Sequence, residues 1–70
     1  MKLRYWPFIT YRDESGTIRH TNTAYGYDTP KQARAQIRAW AQSLHLLTAY
    51  IEALDVEADP PRVYRKIPVL

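Results

Sequence analysis

Residues 44–61, LHLLTAYIEALDVEADPP, decide the fold of this chain. Read at helical spacing, Leu44, Leu47, Ile51 and Leu54 form one stripe, and no Gly or Pro intervenes before Pro60. Read with a period of two, LDVEAD (54–59) alternates apolar and polar residues as a half-buried strand does. Length and charge separate the two readings. A single helix over 29–56 would run about 40 Å at roughly 1.5 Å per residue. That overhangs a hairpin of roughly nine-residue strands, which reaches at most about 30 Å. It would also leave Asp55 and Glu57 at a helix C-terminus, where the dipole disfavours them. A strand over roughly 48–57 is therefore expected. The alternative is a β-hairpin, one long helix 29–56 and a C-terminal strand, an arrangement that favours a coiled dimer.

Outward from this stretch, DPP (59–61) makes a turn and RVYRKIPVL (62–70) reads as the last strand. Upstream, GYDTPKQARAQIRAW (26–40) carries a strong helix start. Thr29 suits the N-cap, Pro30 the first helical position, and Gln32 completes a T-x-x-Q capping box. Ala33, Ile37, Trp40, Ala41 and Leu44 share one helical face, and Lys31, Arg34, Arg38 and Gln42 another. Gly26 just before is expected to let the backbone bend.

KLRYWPFITYR (2–12) is rich in aromatic and β-branched residues and reads as a strand, and TIRHTNTAY (17–25) as its return. DESG (13–16) between them suits a four-residue hairpin loop. Pro7 cannot donate to a ladder, which places the first strand at an edge there. The predicted architecture is α+β: a β-β-α-β-β antiparallel sheet with one helix packed on one face.

If Arg12 pairs with Thr17, strand alternation sorts the hairpin into two faces. Leu3, Tyr5, Ile9, Tyr11, Ile18 and Ala24 form the better core face, near which His20 is expected as a hydrogen-bonded structural residue. Arg4, Trp6, Phe8, Thr10, Arg12, Arg19, Thr21 and Thr23 form the other. This second face holds what a backbone-tracking, stacking surface requires: cations for phosphates, rings for bases and hydroxyls for phosphate oxygens. A two-stranded ribbon also fits the major groove of DNA, where Arg reads guanine. The competing reading reverses the faces and packs Trp6 and Phe8 in the core. The same Trp–Phe–Arg patch is also the composition of a protein-interface hot spot.

The chain has 70 residues and no Cys. That implies a single small domain, 1–70, without disulfides or thiolate metal sites. A domain of this size buries only about 60% of its unfolded surface, so self-association, as a possible homodimer, is one way to add to it. No charged-then-apolar leader and no long apolar run are present, which predicts a soluble cytoplasmic protein with no membrane partner. The formal net charge is +3. Its cations concentrate in residues 1–44, where Lys2, Arg4, Arg12, Arg19, Lys31, Arg34 and Arg38 face only Asp13, Glu14 and Asp28. An anionic partner is expected to meet that half. The helical stripe Lys31, Arg34, Arg38 would extend the same footprint if it lay beside the sheet face.

Catalytic signals are sparse: His20, His45, Ser15 and Ser43 match no nucleophile elbow, phosphate loop or zinc pattern. D-V-E-A-D (55–59) lacks the Gly and terminal Glu of a calcium loop and reads as a solvated strand face. No enzyme activity, cofactor or metal is expected.

The order Y-R-D-x-S-G-x-x-R (Tyr11, Arg12, Asp13, Ser15, Gly16, Arg19), then G-Y-x-T-x-x-x-A (Gly26, Tyr27, Thr29, Ala33), spans about residues 5–44. It resembles the AP2-like, arm-type DNA-binding domains of phage and transposon tyrosine integrases. The resemblance implies a small sheet presented to the DNA major groove with a helix behind it. It makes Arg12 and Arg19 sheet contacts, with Trp6 or Phe8 nearby. Here the second strand is Thr-rich where the family's is rich in Lys and Arg, about 26 residues follow the matched stretch, and these 70 residues hold no catalytic domain. These differences suit a free-standing accessory protein of the sort small mobile elements encode. The expected function is thus non-enzymatic nucleic-acid binding, DNA before RNA. The alternative is a protein-interaction module such as a small regulator or inhibitor of a larger enzyme.

Overall fold

The computed structural model describes all 70 residues. Five elements follow one another: β1 (Leu3–Arg12), β2 (Ile18–Asn22), α1 (Pro30–Ala41), β3 (His45–Asp55) and β4 (Arg62–Pro68). The four strands form one antiparallel sheet in the order β2-β1-β3-β4, and α1 packs across β1 and β3 on one face. This is the expected α+β, β-β-α-β-β arrangement, and the long helix over 29–56 does not form. No helix is long and apolar enough to cross a membrane.

The disputed stretch is strand because its burial follows a period of two. Ala49, Ile51 and Ala53 are buried, while Thr48, Tyr50, Glu52 and Leu54 alternate with them on the other face. The strand starts and ends earlier than the expected 48–57, because α1 stops at Ala41 without a Gly. Its last turn closes instead with the Ser43 and Leu44 N–H groups donating to the Trp40 carbonyl. Leu44, placed by spacing on the helix, reaches the core from the connection.

The start of α1 is as expected. The Thr29 hydroxyl accepts from the Gln32 N–H, and the Gln32 side chain accepts in return from the N–H groups of Asp28 and Thr29. Both orphan ends of the capping box are thereby satisfied. Ala33 on α1 meets Ala49 and Ile51 on β3, and these small side chains let helix and sheet approach closely, with Ile9 and Ile37 filling the space between. Tyr5, Tyr11, Trp40 and Leu46 close the margins of this thin core.

The β1–β2 hairpin turns in three residues, not four. Asp13 pairs with Thr17 through its N–H, and the Gly16 N–H donates to the Asp13 carbonyl, with Gly16 at φ 83°. This is a type I turn closed by a left-handed residue, a common three-residue hairpin loop. Asp13 itself holds it: one carboxylate oxygen accepts from the Ser15 and Thr17 N–H groups and the Ser15 hydroxyl. Arg12 consequently faces Ile18, not Thr17. One residue of slip exchanges the faces of a strand, so the expected assignment of β2 is inverted. Ile18 and His20 lie on the face of Arg12 and Thr10, away from the helix, whereas Arg19 and Thr21 lie on the helix side. Ala24 and Thr23 fall outside β2, which ends at Asn22.

β1 is an interior strand of the sheet as a whole, but at Pro7 it is an edge, as the proline predicts. The proline is tolerated for a local reason. Tyr5 exchanges both backbone hydrogen bonds with Tyr27, so the odd-numbered backbone groups of β1 point toward the β2 side. At Pro7 that side is vacant, because β2 leaves the ladder after Asn22 and the chain rejoins only at Tyr27. The missing N–H therefore removes no ladder bond.

With one helix, only one sheet face is covered. The surface area is 4929 Å², against about 4,500 Å² for a compact monomer of this mass.

Candidate functional site

The uncovered sheet face gathers aromatic rings on its two central strands. Phe8 on β1 and Tyr50 on β3 are directly opposite, with ring centroids 5.3 Å apart and planes 9° from parallel. Lys66 of β4 places its ammonium 5.4 Å from the Tyr50 ring centroid, within cation–π range. Thr10 and Thr48 share a 2.6 Å hydroxyl hydrogen bond in the next row. In the opposite direction lies the row Trp6, Glu52, Lys66, whose ion pair spans 3.7 Å. Trp6 and Phe8 are half-buried and uncovered by the helix, so the reading that packs them in the core does not hold.

Arg4 and Arg12 stand at the two ends of β1 on this same face. The Arg4 guanidinium reaches Asp28 at 2.6 Å, and Arg12 donates to the Gly16 carbonyl at 3.0 Å with no carboxylate beside it. Arg19 does not join them. It turns to the helix side and pairs with Asp13 at 2.7 Å. The Arg19 guanidinium, with the Ser15 and Thr17 donors, holds the Asp13 carboxyl well below the usual carboxylate range, and Asp13 raises Arg19 in return. Both groups serve the turn.

Lys31, Arg34 and Arg38 are exposed on α1, which covers the opposite face of the sheet. The expected site is therefore divided. Arg4, Trp6, Phe8 and Arg12 share the open face, while Arg19, Lys31, Arg34 and Arg38 lie on the helix side. The footprint is not continuous through the helical stripe. A free two-stranded ribbon is not present either, since β1 is flanked by β2 and β3.

A cleft of about 370 Å³ opens at one end of the open face, lined by Arg4, Trp6, Ala24, Tyr25, Gly26 and Val56. Such a volume is at the lower end of ligand-sized clefts, about 300–1,000 Å³. The Trp6 ring lies on the Gly26 backbone: a Cβ at Gly26 would stand 2.5 Å from Trp6 Cζ3. Gly26 has no positive φ, so the glycine is required by this close approach, not by a bend as expected. Tyr25 projects from the rim, 83% exposed.

Tyr50, Lys66, Tyr25 and His20 are additions that the sequence reading left out of the site. For Tyr50 the signal was available: Ala49, Ile51 and Ala53 make one buried alternation, which leaves Tyr50 for the open face. Tyr25 had no such signal. No group of three or more His, Cys, Asp or Glu side chains converges as metal ligands would. No protein-family model, no curated protein and no solved structure matches the chain.

Proposed function

We propose that the open sheet face binds nucleic acid, DNA before RNA, and that the chain is a non-enzymatic, cytoplasmic accessory domain. One observation carries this reading. The only face left uncovered by the helix concentrates Trp6, Phe8 and Tyr50, with Arg4, Arg12 and Lys66 around them. Rings supply stacking that tolerates any base, and the flanking cations supply phosphate contacts.

Salt dependence tests it. Three phosphate contacts, one each for Arg4, Arg12 and Lys66, give a log–log slope of about −2 on single strands and about −3 on duplex. Affinity for mixed-sequence oligonucleotides should then fall about 20- to 40-fold between about 50 and 200 mM salt. Arg34→Ala and Arg38→Ala, on the far side, should leave it nearly unchanged. Failure of both duplex and single strands to bind at low salt and micromolar protein refutes the reading.

A protein partner is the second reading, supported by Glu52 at the centre of the face and by Ile18 and Val63, 54% and 47% exposed, at its margins. A carboxylate and apolar flanks suit a peptide surface, including that of a second copy, better than phosphates. Binding to a protein that survives high salt and is lost in Trp6→Ala would favour it. Size measurement at high concentration tests the homodimer.

A further inference from the structure

We infer that the cleft between Trp6 and Tyr25 takes one unstacked nucleobase, so that the ligand of the open face is a single strand and not an intact duplex. This rests on the nucleic-acid reading above and names its ligand class.

The sheet geometry argues first. Trp6 and Phe8 sit on an interior strand of a four-stranded sheet. Beside Trp6 stand only β3 and β4, and all four strands meet only in the row of Phe8, so the rings lie within the face and not on a ridge. Bases paired in a duplex also hide their π-faces in the stack, whereas single strands can splay them onto aromatic rings.

The cleft argues second. Trp6 is backed by Gly26, where any side chain would collide with it, so the ring has a fixed floor. Tyr25 lines the same cleft and is 83% exposed, so its ring is free to cover a ligand. Arg4 lines the same cleft and pairs with Asp28, whose side chain is 70% exposed. Arg4 is 34% exposed, so the Asp28 side of the pair is the open one, and a phosphate reaches the guanidinium by displacing that carboxylate. A base between the rings would thus carry its own phosphate to Arg4. From there the strand would follow β1 past Phe8 to Arg12, about 26 Å away at 3.3 Å per residue.

The test uses the full chain carrying Trp40→Phe, so that Trp6 is the only indole. Three 12-mers of one mixed sequence are titrated at low salt: single-stranded DNA, single-stranded RNA and the DNA duplex. At least one single strand should bind ten-fold or more tighter than the duplex and quench Trp6 fluorescence. Tyr25→Ala should weaken that single strand about 5- to 150-fold, the worth of one stacked base, while Tyr25→Phe retains it. Both Tyr25 variants should melt like their parent, because Tyr25 is exposed. Duplex binding as tight as the single strands overturns the inference and leaves the nucleic-acid reading standing. So does single-strand affinity unchanged by Tyr25→Ala. If none of the three 12-mers binds, the broader reading falls as well.

Discussion

Gly26→Ala probes the contact on which the cleft is built. The new Cβ would stand 2.5 Å from Trp6 Cζ3 and 2.7 Å from Cε3 and Cη2. Carbon atoms in favourable contact are about 3.5–4.0 Å apart, so the ring must move by roughly 1 Å. Overpacking of this kind costs about 1–3 kcal/mol. Because Gly26 is not at positive φ, alanine fits its backbone and recovers about 0.4–1 kcal/mol by restricting the unfolded chain. The expected net loss is about 1 kcal/mol, and a domain of this size melts about 4–8 °C lower for each kcal/mol. The decisive assay is a double-mutant cycle by denaturant unfolding of the parent, Gly26→Ala, Trp6→Ala and the pair. Without the indole the three nearest atoms are gone, so Gly26→Ala should cost less, or nothing, in the Trp6→Ala background. An equal cost in both backgrounds would refute the packing of Trp6 on Gly26.

Two further predictions concern the hairpin. The folded state holds the Asp13 carboxyl below its usual range, so its stabilising contribution is present above the unfolded value of about 3.9 and is lost as pH falls below it. Asp13→Asn should melt lower than the parent at neutral pH and converge with it in acid; parallel losses across a pH series would contradict this. At Gly16, φ is 83° and an added Cβ meets nothing within 4 Å, so Gly16→Ala should cost only the left-handed backbone penalty, about 1–2 kcal/mol. Denaturant unfolding of Gly16→Ala checks this, and an unchanged midpoint would mean that the turn has another form.

What could be read from the sequence was chemistry written in neighbouring residues. Thr29, Pro30 and Gln32 specify a helix start almost by themselves, and that start forms as expected. The strand at 45–55 was legible from the excessive length of a helix over 29–56, the dipole against Asp55 and Glu57 and the alternation of LDVEAD, but its ends were not, and 56–59 fall in the turn beyond it. The apolar residues Leu44, Leu46 and Leu47 fit either period, and α1 ends without a Gly to mark the place. The faces of β2 were misread because DESG looks like four loop residues, whereas Asp13 already belongs to the pairing and uses its carboxylate to shape the turn. Half of the candidate site followed β1 and survived; Arg19 followed β2 and was lost from it. The cleft was illegible because it depends on a distant event: Tyr5 bridges Tyr27, which carries Tyr25 and Gly26 alongside Trp6.

The three-residue turn makes β2 an exchangeable cassette. β2 pairs with β1 alone, and none of its side chains is fully buried, so the turn and the Arg19–Asp13 pair fix which way it faces. One codon inserted between Glu14 and Gly16 rolls the strand over when the loop keeps three residues, since Asp13 then faces Gly16 and Arg12 faces Thr17. Arg19 and Thr21 would then replace Ile18 and His20 on the open surface. The open face of this small sheet can therefore change its chemistry through a single insertion, with no substitution in β2, at the cost of the Arg19–Asp13 pair.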